Sequence, residues 1–348
     1  MATEDCSPPL VAVCVPARDE RRRLAGLLRA LARQCPLPRV DLVVCILFDG
    51  SGDGGDAAVR QASGDLPFSV VTRTIARQET PNAGRARRAA MALGQDATDG
   101  MPQALLLTTD ADTRPARNWV ARNAASLNDV DVVAGHIARS HACRVPIRSR
   151  LEAYYGRLHR LRRTIDPVSY DPLPSHPSIG GASLGFRASA YAALGGFPEL
   201  ACNEDVAMVA SARHAGFRVR HDPRVRVVTS SRRVGRARGG LADDLLEVAV
   251  HRSMPSVEHP AQAAERFVRR AAARRLFAQL VCPDTLDRLS GLLDQSLAVV
   301  AQTARLAPNA DAFAVRIVRP VAERHYLPLP DAEAHLAGLE AEFGYARA

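Results

Sequence analysis

A chain of 348 residues, 47% hydrophobic and 24% charged with a formal net charge of +9, has the composition of a globular protein. It is long enough for one large domain with extensions or for two domains. No run of 18 apolar residues is present and the first residues are acidic, so neither a membrane span nor a secretory signal is expected. The seven cysteines, Cys6, Cys14, Cys35, Cys45, Cys143, Cys202 and Cys282, are scattered without a Cys-x-x-Cys pair, the pattern of reduced cytoplasmic thiols that pack as small apolar groups. Every basic side chain other than histidine is an arginine, which removes a P-loop lysine, a Schiff-base lysine and a Ser-Lys dyad from consideration. The positive balance suits a phosphate-bearing ligand, an anionic membrane surface or nucleic acid alike.

In chain order, the apolar run of residues 10–16 predicts a buried strand stopped by Pro16. A helix over residues 20–34 follows, with Leu24, Leu27, Leu28 and Leu31 as its buried stripe. A second strand, 42–48, runs into Asp49-Gly50-Ser51-Gly52-Asp53-Gly54-Gly55. Gly50, Gly52 and Gly55 spell the dinucleotide-binding G-x-G-x-x-G, but Asp49 and Asp53 would face the pyrophosphate. An EF-hand reading fails at its twelfth position, Arg60. In a third reading Asp49 caps the strand and accepts hydrogen bonds from a base or ribose while the glycines turn tightly against a nucleotide.

A third strand is predicted at 68–74 and a helix at 82–95, with Ala83, Ala86, Ala90 and Leu93 inward and Arg85, Arg87 and Arg88 turned to solvent or phosphate. The next strand, 104–109, ends in Asp110-Ala111-Asp112. Alternation of strands and helices implies a parallel sheet, and ligands collect beyond the carboxyl ends of such strands. Two carboxylates placed there, Asp110 and Asp112, need a partner against desolvation, and a divalent cation is the natural one. A helix through Trp119 and Leu127 and a strand at 130–137 come next. Beyond the glycine-rich stretch at 180–184, a helix is expected at 204–215 and two short strands at 217–220 and 225–229. Residues 230–240 form the most basic stretch, read as a loop whose arginines close over a diphosphate, ahead of a solvated loop or an RNA-binding Arg-Gly segment. From about residue 261 the chain is helical by pattern. Its first helix combines Phe267, Ala271, Leu276 and Leu280 with Arg266, Arg269, Arg270, Arg274 and Arg275, for packing against the catalytic domain or, as a second reading, contact with anionic lipid.

Five ordered blocks carry a resemblance. Val13-Cys14-Val15-Pro16-Ala17-Arg18-Asp19-Glu20, Phe48-Asp49-Gly50-Ser51-Gly52-Asp53-Gly54, Asn82-x-Gly84, Asp110-Ala111-Asp112, and the run from Gly180-Gly181 through Gly195-Gly196-Phe197-Pro198 to Asn203-Glu204-Asp205 resemble the family 2 glycosyltransferases of the GT-A fold over about residues 10–235. The resemblance implies an α/β fold with a Rossmann-like, mostly parallel sheet flanked by helices. Its expected organisation is a tail at 1–9, a GT-A domain at 10–240 (nucleotide-sugar half 10–137, acceptor half 138–240) and a C-terminal helical extension at 241–348.

The implied reaction moves a sugar from a nucleotide diphosphate donor, a UDP- or GDP-sugar, to a hydroxyl acceptor with inversion. Donor contacts fall to Pro16, Ala17, Arg18, Glu20, Asp49, Ser51, Gly84, Arg88, Asp110, Ala111, Arg232 and Arg233. Asp112 with Asp110 would hold Mn²⁺ or Mg²⁺. Asp205 would be the general base, with Glu204 beside it, although an acidic pair at a helix start also stabilises that helix. A metal-binding histidine of many family members has no counterpart after Val227-Val228-Thr229-Ser230, only His221 lying nearby, and the sole Trp119 leaves no Gln-x-x-Arg-Trp motif of processive synthases. The alternatives are a retaining sugar or nucleotidyl transferase on the same fold, or a basic nucleic-acid-binding protein, against which 5% aromatic residues argues. A cytoplasmic location is expected, with attachment to the inner membrane face as the second reading.

Overall fold

The computed structural model describes residues 10–35, 41–77, 79–139, 146–230, 254–318 and 323–344. The chain forms two compact units that interleave in sequence: Met1–Cys143 with Ser178–Val209 and Val219–Leu246, and Arg144–Pro177 with Ala210–Arg218 and Glu247–Ala348.

The first unit is built on an eight-stranded sheet with strand order β3-β2-β1-β4-β7-β6-β8-β5. Its strands are β1 (Leu10–Ala17), β2 (Asp41–Asp49), β3 (Ser69–Ile75), β4 (Leu105–Thr108), the two-residue β5 (Arg114–Pro115), β6 (Val132–Arg139), β7 (Leu184–Arg187) and β8 (Val219–Thr229). Pairings β1–β2, β1–β4, β2–β3 and β6–β8 are parallel, and only β7 and β5 run against the rest. Apolar residues dictate this half of the fold: Val11 to Val15 and Val43 to Phe48 are buried without interruption, as strands covered on both faces require. Helices α1 (Arg21–Ala32), α2 (Gly55–Ala62), α3 (Ala83–Ala97) and α4 (Trp119–Leu127) follow β1, β2, β3 and β5, and α6 (Ala188–Ala193) follows β7. Leu24, Leu27, Leu28 and Leu31 are buried on α1, as their spacing predicts. The expected α/β class with a mainly parallel, helix-flanked sheet and C-terminal helices is therefore what forms.

One strand differs from the sequence reading. Residues 219–229 form one strand and not two, because β8 stays paired with β6 on both sides of a bulge. The pairing passes from Gly135↔Asp222 to His136↔Arg226 and leaves Pro223, which has no N–H to donate, outside the ladder.

Among the described residues the second unit is helical apart from one antiparallel pair of short strands, β9 (Ser256–Glu258) and β10 (Tyr326–Pro328), which are far apart in sequence. It contains α5 (Pro146–Ile165), α8 (Pro260–Leu276), α9 (Pro283–Leu293), α10 (Leu297–Leu306), α11 (Ala310–Ile317) and α12 (Leu329–Glu342). The intervening α7 (Glu204–His214) starts in the first unit and ends in the second. One apolar cluster joins Leu289, Leu293, Val300, Phe313 and Ile317; another joins Tyr154, Leu161, Val257, Ala264, Leu329 and Leu336. The basic helix at 261 onward ends at Leu276, so Leu280 lies beyond it. Its apolar face, with Phe267 and Ala271, is buried, and Arg266 and Arg274 pair with Glu258 and Asp311 at 2.6 Å each. No described helix is long and apolar enough to cross a membrane.

Candidate active site

The carboxyl ends of β2, β1 and β4 lie side by side at one edge of the sheet, which brings Asp49, Pro16-Ala17 and the Asp110-Ala111-Asp112 turn to the same rim. Asp49 is the last residue of β2 and is 6% exposed. Arg18 donates from Nε to the Asp49 carbonyl oxygen at 3.2 Å and stands 3.6 Å from its Oδ2. Asp49 Oδ1 is enclosed and has no hydrogen-bond partner among the described residues. A buried carboxylate oxygen left so is costly unless a ligand donor reaches it.

The glycine-rich loop is tied to the turn after β1. Asp19 N–H donates to Ser51 Oγ (3.1 Å), Ser51 Oγ donates to the Ala17 carbonyl (3.3 Å), and Gly52 N–H donates to Asp19 Oδ1 (2.9 Å). Asp53 accepts from the Arg21 N–H at 2.7 Å and so satisfies an otherwise orphaned donor at the start of α1. Gly50 has φ +58°, and a Cβ there would sit 2.3 Å from the Arg77 Cα. These residues close the loop onto protein. Ser51, expected on the donor, spends its hydroxyl on this clamp, and Glu20, buried before α1, pairs with Arg23 at 2.9 Å.

Asn82 caps α3 by accepting the Arg85 N–H at 2.8 Å and donates to the Glu199 carbonyl at 3.0 Å. Gly84 donates to the Leu200 carbonyl at 2.9 Å, and a Cβ there would meet the Pro198 oxygen at 2.1 Å. The Asn-x-Gly block is thus where α3 meets the backbone of the Phe197–Leu200 segment. Arg88 lies on the same seam and donates to the Phe197 carbonyl at 2.9 Å.

The centre of the site is Arg87, which corrects the expectation that it faces solvent or phosphate. It is 6% exposed. Its Nε donates to Glu204 Oε1 (3.0 Å), Nη1 to Thr108 Oγ1 and the Gly181 carbonyl (3.0 Å each), and Nη2 to Asp110 Oδ1 (2.9 Å). Burial opposes the charge, yet Asp110, Glu204 and Asp205 hold the guanidinium above its ordinary pKa. The partner that offsets the desolvation of Asp110 is therefore an arginine. A Cβ on Gly181 would lie 2.1 Å from the Arg87 guanidinium, so the second glycine of the Gly180-Gly181 pair makes room for it. Arg87 was detectable only as an arginine in the inward stripe of α3, between Gly84 and Met91, both buried.

Asp205, on the first turn of α7, accepts the Gly181 N–H on Oδ2 (2.8 Å) and the Val206 N–H on Oδ1 (2.7 Å). Asp112 is reached by the Thr229 hydroxyl at 3.4 Å, and Thr229 also takes a 3.2 Å bond from Thr113, which joins the Asp110–Asp112 turn to the end of β8. Arg232 and Arg233 lie outside the described residues. No cluster of three or more His, Cys, Asp or Glu suited to a metal occurs among the described residues. The acids available at the turn, Asp110 and Asp112, are hard oxygen donors that suit Mg²⁺ or Mn²⁺ once a diphosphate adds its own oxygens.

Among solved structures, S. aureus TarS 1-349 in complex with UDP-GlcNAc matches 92% of this chain and 99% of its own at 14% identity and a TM-score of 0.47. The mannosyltransferase PcManGT from Pyrobaculum calidifontis, in complex with GDP-Man and Mn²⁺, matches 100% of this chain and 78% of its own at 18% identity and a TM-score of 0.47. No curated protein matches the sequence significantly. The model of the family described as glycosyl transferase family 2 matches residues 12–191, just over half of the chain and all of the rim from β1 to Gly181, and the protein belongs to that family of glycosyltransferases.

Proposed function

We propose that this glycosyltransferase transfers a sugar from a nucleotide diphosphate donor to a hydroxyl acceptor, with inversion, and that Asp205 is the general base. The single observation that carries the reading is the Arg87 hub. One guanidinium bonds Asp110 at 2.9 Å and Glu204 at 3.0 Å, so the donor-side acids and the Glu204-Asp205 pair, far apart in sequence, meet within one side chain. The donor half at 10–137 and the part of the acceptor half that carries Gly180-Gly181 and Glu204-Asp205 would then share one cleft in the first unit.

Asp49, whose Oδ1 lacks a protein partner, would accept from the base or ribose, with Arg18 holding its backbone and Pro16-Ala17 forming the floor. Asp112 and Asp110 would hold Mn²⁺ or Mg²⁺, which supplies Lewis-acid stabilisation of the leaving diphosphate when bound. Ala111 would bring backbone close to the ribose. Glu204 is occupied by Arg87 and acts by fixing that arginine. Both oxygens of Asp205 are oriented by backbone N–H groups, and each retains lone-pair capacity to take a proton from an acceptor O–H. Attack from the face opposite the departing diphosphate inverts the anomeric carbon.

A thermal-shift series with UDP, GDP, dTDP and CDP, each with and without Mn²⁺, tests the donor assignment on wild type and Asp112→Ala. A ligand that binds only the folded state raises the melting temperature. One nucleotide stabilising with metal in wild type but not in the variant supports the reading; equal responses in both proteins reject it. The anomeric configuration of the product, read by NMR, tests inversion.

A further inference from the structure

The second unit holds a concentration of arginine that the transfer reaction does not use. Arg162 and Arg163 end α5, Arg213 lies near the end of α7, and Arg270 sits in the middle of α8. Two contacts fix how α5 faces α8. The Arg162 guanidinium carbon stands 6.0 Å from the centre of the Phe267 ring, and Arg274 is hydrogen-bonded to Asp166, just past α5. Positions 267, 270 and 274 share one face of a helix, so Arg270 is held between these contacts, opposite Arg162.

Arg162, Arg163 and Arg270 each have an enclosed Nε with no hydrogen-bond partner. Nearby acids are already engaged: Asp166 and Asp311 bind Arg274, and Asp171 accepts from Ser175 at 2.9 Å while standing 3.6 Å from Arg163. Asp166 Oδ2 is itself enclosed without a hydrogen bond, so it does not bind Arg162. Among the described residues, the guanidiniums of Arg162, Arg163, Arg270 and Arg274 face three carboxylates, Asp166, Asp171 and Asp311, so positive charge is in excess.

The same excess is felt by each neighbour. Burial and then Arg213, Arg163 and Arg270 press Arg162 well below its ordinary pKa; burial, Arg266 and Arg213 bring Arg270 down to about 10; and burial with Arg162 and Arg163 brings His159 to about 3. An arginine does not relieve such stress by losing its proton. Compensation comes from an added anion, and planar forks of N–H donors match the oxygens of a phosphate.

We propose that Arg162, Arg163 and Arg270 form an anion site in the second unit that takes a phosphate dianion, either free or as the terminal phosphate of a monoester. It stands on this unit alone and does not depend on the identity of the sugar donor. Arg162 and Arg270 each keep part of the side chain open to solvent, which gives the anion a way in.

The test is a thermal-shift titration of the full-length protein in EDTA, with inorganic phosphate or glycerol 3-phosphate replacing chloride at constant ionic strength. A saturable rise of about 5 °C is expected in wild type and in Asp112→Ala. Stabilisation by both ligands identifies a monoester site and by inorganic phosphate alone a free-phosphate site. Arg162→Gln and Arg270→Gln should each abolish the rise while melting no lower than wild type without phosphate, because each removes an uncompensated charge. If Arg162→Gln does not fold, Arg270→Gln alone decides. No rise beyond the chloride control, loss of the rise in Asp112→Ala, or a wild-type response in the folded arginine variants overturns the proposal.

Discussion

Replacing Arg87 by methionine gives the sharpest test of the hub. The side chain is 6% exposed and serves Glu204, Thr108, the Gly181 carbonyl and Asp110 at 2.9–3.0 Å. Glu204 is 4% exposed, so the substitution strands a buried carboxylate and a buried carbonyl together. Breaking a buried ion pair by removing one partner costs about 3–5 kcal/mol, most of it the penalty of the charge left behind. Adding Glu204→Gln to Arg87→Met removes that charge, so the double variant should recover about half of the loss, a coupling of about 2 kcal/mol. Urea unfolding of the four proteins, followed by tryptophan fluorescence, measures this directly, since the sole Trp119 is buried in the same unit and its Nε1 bonds Ser183 at 3.1 Å, two residues from Gly181. A single-variant loss under about 1 kcal/mol, or additive effects of the two substitutions, would refute the claim that Arg87 and Glu204 act as a buried pair.

Other expectations follow from single contacts. Asp205→Asn keeps the size of the side chain but removes the carboxylate proposed as base, so kcat should fall about 10²- to 10⁴-fold while nucleotide-induced thermal stabilisation persists; unchanged turnover would exclude Asp205 as base. Gly84→Ala forces a Cβ to within 2.1 Å of the Pro198 oxygen and should destabilise the first unit by about 1–3 kcal/mol in the same urea assay. Asp222 is fully buried; burial opposes its charge, but the Arg224 and Ser126 hydrogen bonds bring its pKa down to about 2. A depressed carboxylate stabilises the fold above its unfolded value of about 4 and loses that contribution as the pH falls toward 2. The stability advantage of wild type over Asp222→Asn, measured by urea midpoints, should therefore be constant above about pH 5 and shrink toward pH 2; a gap independent of pH would show that the ionised form is not favoured.

Period and turn chemistry determined much of this protein. Two unbroken apolar runs ending at Ala17 and Asp49 are strands that no other element could accommodate, and a carboxylate at the end of such a strand reaches the ligand-binding rim of a parallel sheet by geometry alone. Ordered short motifs, Asp110-Ala111-Asp112 and Glu204-Asp205 among them, carry the resemblance to the family in the sequence alone. What they did not reveal is which side chain joins them. Arg85, Arg87 and Arg88 are chemically identical, and the one that turns inward is selected by acceptors on β4, at Gly181 and on α7, all remote in sequence. Gly84 and Gly181 likewise read as turn residues, and only packing shows that each clears space for a neighbour. The two arginines ending α5 join Arg270 on α8 in the same way, across more than a hundred residues. Sequence periodicity reports the face a residue lies on, whereas the pairing of charges depends on distances that exist only after the chain has closed.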